Sequence, residues 1–174
     1  MAILSPEGVL VFDTNGTPKA AEAVLAEIRK LTNQPVRYVV VVTGDLLVNP
    51  IGFALGVYPS GWLDTLERID AVEATVWIPG HGEPLGDKKL LHATVDVFRE
   101  LLRQGKEARA KGLSPKEAIA AISPSLRDLR ARITGDDPRL NQQFDLYLVS
   151  WYLHRVYDEL AGPLTDAITP PPGG

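Results

Sequence analysis

The amino-acid sequence predicts an α/β fold with a helical C-terminal half. Two β-branched runs, at residues 8–13 and 36–42, indicate buried strands. Apolar residues recur at helical spacing between these runs and again through most of the chain beyond residue 87. Strands that alternate with helices are typical of an α/β layer arrangement, so we expect a small sheet covered by helices.

Size and composition restrict the class of protein. At 174 residues the chain is long enough for one domain with a hydrophobic core, and its 45% hydrophobic content is ordinary for a globular protein. The net charge of −4, without a basic cluster, predicts no nucleic-acid partner. The lack of cysteine excludes disulfides and thiolate zinc sites. No apolar run approaches the ~20 residues that span a bilayer, and the N-terminus lacks a signal-peptide pattern, so we predict a cytoplasmic protein without a membrane partner.

The chain begins with a predicted strand, a helix and a second strand. The strand at 8–13 ends in the turn sequence Asp-Thr-Asn-Gly. The segment Pro18–Leu31 has helical spacing, and Thr17 is its predicted N-cap. The second strand, at 36–42, completes an arrangement in which the two strands can share one sheet.

A loop, a short helix and a third strand follow. The loop at 49–61 is rich in glycine and proline and is expected to border a pocket. The predicted helix at 62–69 places its apolar residues on one side. Residues 74–84 contain a strand that runs into a loop with glycine on both sides of a histidine.

The C-terminal part reads as helices throughout. A long amphipathic helix is predicted at 88–111, and Ser114 and Pro115 have the residue types of an N-cap and first helical position. A connector is predicted at 134–143 and a final helix at 144–160. The expected organisation is an α/β part, a helical part of the same domain and a disordered tail, at residues 1–86, 87–162 and 163–174.

Three polar residues lie at the ends of predicted strands. Asp13 and Asp45 each follow a β-branched run, and His81 lies between two glycines after the third strand. A neutral imidazole is a common zinc ligand and general base, and strand ends of open α/β sheets meet at one edge. The alternative is structural, because aspartate is common in turns and a loop histidine often bonds a backbone carbonyl.

The other histidines and acidic residues have structural interpretations. His92 and His154 lie inside helical patterns, so we expect them to be satisfied histidines of the core or of an interface. Asp136 and Asp137 precede a proline in an evident turn and are interpreted as solvated capping residues.

Three segments, taken in order, resemble the metallo-β-lactamase superfamily. They are GVLVFDTNG with the helix and PVRYVV after it, TGDLL, and WLDTLERIDAVEATVWIPGHGEP, which together cover roughly residues 5–85. The resemblance implies a partial metallo-β-lactamase-like sheet covered by helices. It also implies that Asp45 is the metal-bridging aspartate and His81 a ligand of the second metal. Asp13 and Glu83 are assigned supporting roles.

The sequence also departs from the pattern of that superfamily. The T-H-x-H-x-D-H loop, which supplies most of the family's metal ligands, is absent, and residues 36–42 continue directly into TGDLL. The family's opening strands are absent too, so the chain resembles an internally deleted and N-terminally truncated relative. Asp45 and His81 are two ligands, whereas a catalytic zinc usually has three protein ligands and a water. A single zinc site shared across a dimer and a metal-free site both remain open.

The missing segments predict a homodimer. Without them one apolar face of the sheet loses its cover and needs a partner. An intact strand over residues 36–47 can pair across a two-fold axis, with or without exchanged elements. Such a dimer would bring together two pairs of Asp45 and His81.

Three classes of function follow from these observations. The first is a hydrolase of ester-like bonds (phosphoester, lactone or thioester) in a small-molecule substrate, with water activated at a reduced metal site or by His81 and Asp45. The second is a catalytically inactive dimeric structural or binding module derived from such a hydrolase. The third is a small-molecule binding protein with a pocket lined by Trp62, Trp77 or Trp151. The resemblance ranks the hydrolase first.

Overall fold

The computed structural model describes residues 2–5, 8–11, 18–33 and 40–164. The predicted α/β class with a helical C-terminal half is confirmed. The parallel sheet within the described residues has two strands. The first half contains, in chain order, β1 (Ala2–Ser5), β2 (Gly8–Val11), α1 (Pro18–Leu31), β3 (Val40–Gly44), α2 (Pro59–Asp70) and β4 (Val76–Pro79).

The second half is helical. Its elements are α3 (Lys89–Ala110), α4 (Pro115–Ile122), a 3₁₀ turn (Ser123–Leu126), α5 (Arg127–Thr134), α6 (Pro138–Gln143), a π-helical segment (Phe144–Ser150) and α7 (Trp151–Ala161). Within the described residues, no helix combines the length and apolarity needed to cross a bilayer.

The parallel pair β3 and β4 separates a buried face from an exposed one. Val41 pairs with Trp77, whose side chain is 1% exposed and faces the helices. Val42 and Val76, on the opposite face, are 52% and 36% exposed. Because the strands are parallel, their carboxyl ends lie side by side, with Gly44 paired to Pro79. The residues that follow the two strands are therefore neighbours.

The helices pack around the middle of α3. Phe98 is fully buried, with its ring centroid 4.4 Å from that of Trp62 on α2 and 4.6 Å from that of Tyr152 on α7. The Tyr152 hydroxyl donates a hydrogen bond to the Pro59 carbonyl at 3.0 Å, and burial raises the pKa of that phenol. This aromatic stack therefore joins three helices and lies directly behind the start of α2.

Several helix boundaries agree with the sequence prediction. Helix α1 is confirmed over Pro18–Leu31, and α3 follows the predicted long helix closely. Helix α4 begins after Ser114, which forms a capping box with Glu117. Helix α2 begins at Pro59, earlier than the predicted residue 62, because a proline is well suited to the first helical position.

Other expectations were wrong or fall outside the described residues. The connector predicted at 134–143 contains helix α6, capped by the Asp137 carboxylate, which accepts from the N–H groups of Arg139 and Leu140. The capping role of Asp137 is thus confirmed. The β1–β2 hairpin places a strand at Ala2–Ser5 that was not predicted. Thr17 lies outside the described residues, as does most of the predicted tail.

The predicted final helix begins as a π-helix. Over Phe144–Ser150 the backbone is wound more widely than in an α-helix, and α7 continues from Trp151. The Tyr147 carbonyl accepts a hydrogen bond from the Ala54 N–H at 3.0 Å. The loop before α2 is therefore attached to this segment, while Phe144 and Leu148 are buried.

The two remaining histidines take structural positions, as expected. His92 Nε2 lies 2.9 Å from Asp70 Oδ1, so this histidine links α3 to the end of α2. Lys88 adds a second contact, since its ammonium group lies 3.5 Å from the same carboxylate oxygen. His154 contacts the Ser150 carbonyl through Nδ1 at 2.8 Å.

The Asp70 carboxylate is expected to make stability depend on acid pH. Partial burial raises its pKa, but hydrogen bonds and charges from His92 and Lys88 outweigh this and hold the pKa below its ordinary value. A lowered pKa contributes stability above the unfolded value of ~3.9, and this is lost as pH falls through the lower folded value. Because the side chain is 38% exposed, we expect Asp70→Asn to cost no more than about 1 kcal/mol at pH 7.

Urea unfolding from neutral pH down to below the unfolded pKa measures this effect. The Asp70→Asn variant should be less stable than the parent at pH 7, and the two should converge in acid. Asp64→Asn, with a side chain 69% exposed, is the matched control and should follow the parent at every pH. An unchanging stability difference across the range would contradict the assignment.

Candidate active site

The structure brings together two of the residues predicted at strand ends. Asp45 directly follows β3, and His81 follows β4 after one glycine. The distance between Asp45 Oδ1 and His81 Nε2 is 3.4 Å. Their predicted convergence at one edge of the sheet is confirmed. Asp13, the third predicted member, lies outside the described residues.

Gly80 makes this close approach possible. Its N–H lies 2.8 Å from the Gly44 carbonyl and 3.0 Å from the Leu47 carbonyl, so the loop after β4 is bonded to the turn after β3. A Cβ atom at Gly80 would lie 2.2 Å from Asp45 Oδ1 and 2.7 Å from the backbone carbon of Gly44. Only a residue without a side chain fits between the two loops.

Asn49 fixes the loop that carries His81. Its backbone N–H donates to the His81 carbonyl at 3.0 Å, and its side-chain amide donates to the Glu83 carbonyl at 3.2 Å. Gly82 has a positive φ of 86°, and a Cβ there would meet the Asn49 carbonyl oxygen at 2.2 Å. Glu83 thus joins the site through its backbone carbonyl. The supporting role assigned to its carboxylate stays a prediction.

The turn after β3 is held by two further residues. The Thr43 hydroxyl is buried within 3.4 Å of the Leu47 carbonyl and 3.3 Å of the Ile78 carbonyl, which lies on β4. The Trp62 indole N–H donates to the Leu46 carbonyl at 3.0 Å. Helix α2 therefore positions the segment in which Asp45 lies.

Gly80, Asn49 and Thr43 were not predicted from the sequence as parts of this site. The sequence Pro-Gly-His-Gly predicted an unusual backbone conformation after the third strand. It did not predict which loop packs against this segment, because that depends on the pairing of β3 with β4. Asn49 precedes Pro50, and the peptide bond between them is cis. An asparagine before a proline is common in loops, so this pair does not by itself indicate a site.

The Asp45 and His81 side chains are open to solvent. They are 78% and 74% exposed, and their separation of 3.4 Å exceeds the usual length of an N–H···O hydrogen bond. An ion pair this exposed contributes little to folding stability. Both groups are therefore accessible to a ligand, and the imidazole is free to change its contacts.

A cavity of about 1150 Å³ opens beside this pair. Its walls come from the loop between β3 and α2, the first turns of α2 and the π-helical segment. The lining residues are Asp45, Leu46, Val48, Ile51, Phe53, Leu55, Val57, Tyr58, Gly61, Trp62, Thr65, His81, Gln143 and Tyr147. The predictions that the loop at 49–61 borders a pocket and that Trp62 lines it are confirmed. Trp77 is instead buried in the core, and Trp151 contacts Phe53 with its ring centroid 4.1 Å away.

The residues of one chain only partly fit a zinc site. Two ligands at ~2.0–2.1 Å from a tetrahedral zinc lie about 3.3–3.4 Å apart, which is close to the observed 3.4 Å between Asp45 and His81. Among the described residues, however, no cluster of three or more histidine or acidic side chains is arranged to hold a metal ion. The pair falls short of the three protein ligands of a catalytic zinc.

Comparison with known proteins gives no assignment: no family model matches the chain, and no curated protein matches it.

Proposed function

We propose that this protein is a hydrolase of ester-like bonds in a small-molecule substrate and a truncated relative of the metallo-β-lactamase superfamily. The observation that carries the proposal is the contact between Asp45 and His81 at the rim of an apolar cavity. A histidine beside a carboxylate, next to a cavity that can hold a ligand, is the arrangement required for general-base hydrolysis. The order of the three family-like segments supports the same class.

The proposed reaction uses the two nitrogens of His81 differently. Asp45 faces Nε2, so it favours the tautomer with a proton there and leaves Nδ1 as the base. As the water oxygen bonds to the substrate's carbonyl carbon, Nδ1 takes one water proton. The carbonyl π electrons move onto oxygen, giving a tetrahedral intermediate.

Collapse of that intermediate re-forms the carbonyl and breaks the bond to the leaving oxygen. Nδ1 returns its proton to that oxygen, so one ester and one water give one acid and one alcohol. Asp45 stays ionised throughout and stabilises the imidazolium that forms between the two steps. The charged pair is expected to approach closer than 3.4 Å at that stage, since apo catalytic contacts are often long.

The test is ester hydrolysis by variants of the pair. His81→Ala is expected to lower kcat/KM about 10²–10⁴-fold, because it removes the base. Asp45→Asn should lower kcat while leaving KM close to that of the parent, since it removes charge and keeps size. His92→Ala is the matched control and should retain the parent's activity, because His92 contacts Asp70 at the C-terminal end of α2, whereas the cavity lies at its first turns. Equal kcat/KM in His81→Ala and the parent would refute the proposal.

The same preparations address the metal and the oligomer. We propose that a zinc ion, if the protein binds one, is held by Asp45 and His81 of one protomer and that a second protomer supplies the remaining ligands. The exposed Val42 and Val76 on the outer sheet face support a homodimer. Elemental analysis should then find zinc near one atom per dimer in the parent and none in His81→Ala. A stable monomer in gel filtration would remove the shared site.

A second candidate is the inactive module, favoured by the high exposure of Asp45 and His81. A catalytic pair is usually shielded from bulk water, and this pair is not. For such a module, substitutions at both positions would leave ligand binding and any residual hydrolysis unchanged. The variants above therefore decide between the two candidates.

A further inference from the structure

Three exposed large apolar side chains lie at the cavity. Phe53, Tyr58 and Leu46 are 53%, 43% and 37% exposed, and all three line it. When a ligand covers large apolar side chains, the free energy of binding becomes more favourable in proportion to the apolar area removed from solvent. Their position on one cavity indicates that this surface is covered when a ligand is bound.

One wall of the cavity is aromatic. Phe53 packs edge-on against Trp151 with ring centroids 4.1 Å apart, and its centroid lies 5.2 Å from that of Tyr147. Trp62 lines the cavity from α2. Rings held in this way offer flat, rigid faces to an apolar ligand at low entropic cost.

The described lining of the cavity has no permanently charged cation for an anionic ligand, and His81 is its one ionisable base. Among its lining residues, all within the described part of the chain, none is lysine or arginine, and Asp45 is acidic. The start of α2 also borders the cavity, but the Ser60 hydroxyl and N–H there already donate to the Glu159 carboxylate, at 2.8 and 3.3 Å. Charged donors bind phosphate groups most strongly, and the lining supplies neither lysine nor arginine for this purpose.

We propose that the cavity binds the uncharged apolar acyl part of the substrate. The ester-like bond would then belong to a neutral carboxylic ester or lactone with a medium-length or aromatic acyl group, and not to a phosphoester or a phosphate-bearing thioester. The acyl part lies along Phe53 and Trp62, and the bond to be cleaved lies at Asp45 and His81. This inference rests on the proposed hydrolase function for its second half, and on the cavity alone for its first.

Binding of two matched probes tests the cavity directly. Octanamide is neutral and carries an acyl chain, whereas octyl phosphate has a chain of similar length and an anionic head. Tryptophan fluorescence, to which Trp62 at the cavity contributes, should give a Kd at least about tenfold lower for octanamide, with both probes below their micelle concentrations. Comparable affinity for octyl phosphate, or no octanamide binding, would overturn the inference.

A variant at the cavity wall locates the bound probe. Phe53→Ala should raise the Kd for octanamide about tenfold, because it removes the ring that the acyl chain covers. Phe53 is half-exposed, so the variant is expected to fold. Val72→Ala, at a similarly exposed apolar residue away from the cavity, is the control and should bind like the parent. Equal affinity in Phe53→Ala would overturn the assignment.

Chain-length dependence of hydrolysis tests the second half. For p-nitrophenyl esters, kcat/KM should rise from acetate to octanoate by up to about fourfold per added methylene, and Phe53→Ala should reduce that rise. Hydrolysis that depends on His81 but shows no preference for chain length would overturn this inference and leave the hydrolase standing. Octanamide binding without hydrolysis of any ester would instead support the apolar site and refute the hydrolase.

Discussion

Gly80→Ala is expected to destroy the candidate site and to destabilise the fold by about 2–4 kcal/mol. The Asp45 carboxylate can swing away from the new methyl group, but the backbone cannot. The added Cβ would lie 2.7 Å from the Gly44 carbon and 2.8 Å from the Asp45 nitrogen, so the ends of β3 and β4 must separate. That separation breaks the hydrogen bonds of the Gly80 N–H and moves His81 away from Asp45.

Urea unfolding and ester hydrolysis together measure the consequence. Gly86→Ala is a closely matched control, because Gly86 lies in the same connection and a Cβ there meets no atom within 4 Å. We expect that control to stay within about 0.5 kcal/mol of the parent and to keep its activity. If Gly80→Ala were as stable and as active as Gly86→Ala, the close packing of the loops after β3 and β4 would be contradicted.

Phe98→Ala is expected to cost about 3–5 kcal/mol, the largest loss of stability predicted for this molecule. The ring is fully buried between Trp62 and Tyr152, so its removal leaves a cavity in the core. Phe98→Leu, which retains most of the volume, should lose no more than about 1.5 kcal/mol.

Phe98→Ala is also expected to weaken ligand binding in the cavity. Trp62 packs on Phe98 with one face and lines the cavity, so a loss of its support should weaken octanamide binding in any folded fraction. Leu146→Ala, at a residue 40% exposed, is the control and should change neither stability nor binding by more than a small amount. A Phe98→Ala protein with the parent's urea midpoint would show that the aromatic stack is not part of the core.

Local patterns predicted the elements whose stability is local. Helices α1 and α3 have regular apolar spacing over many residues, and their predicted bounds agree closely with the structure. The meeting of Asp45 and His81 was also predictable, because parallel strands place their ends at one edge. A general rule about strand ends sufficed there, without knowledge of the side chains between them.

Features that depend on distant contacts were not predictable in this way. Asn49 holds the His81 loop through hydrogen bonds to residues far along the chain, and no local pattern predicts such partners. Helix α6 is short, and its proline and asparagine read equally well as a connector. The cavity wall at Tyr147 depends on a π-helical turn, which has the same residue composition as an α-helix.

That π-helical turn has a consequence for how this protein can change over generations. A π-helical segment has more residues per turn than an α-helix, so deletion of one residue is a direct way to convert it to α-helix. Deleting one residue between Phe144 and Ser150 would rotate the preceding turns by about 100° relative to α7. The side chain at the Tyr147 position would leave the cavity, and the Ala54 loop would lose its anchor. A deletion within the π-helical segment would therefore change the shape of the cavity in a descendant protein more than a substitution would, and it would leave the other helices unchanged.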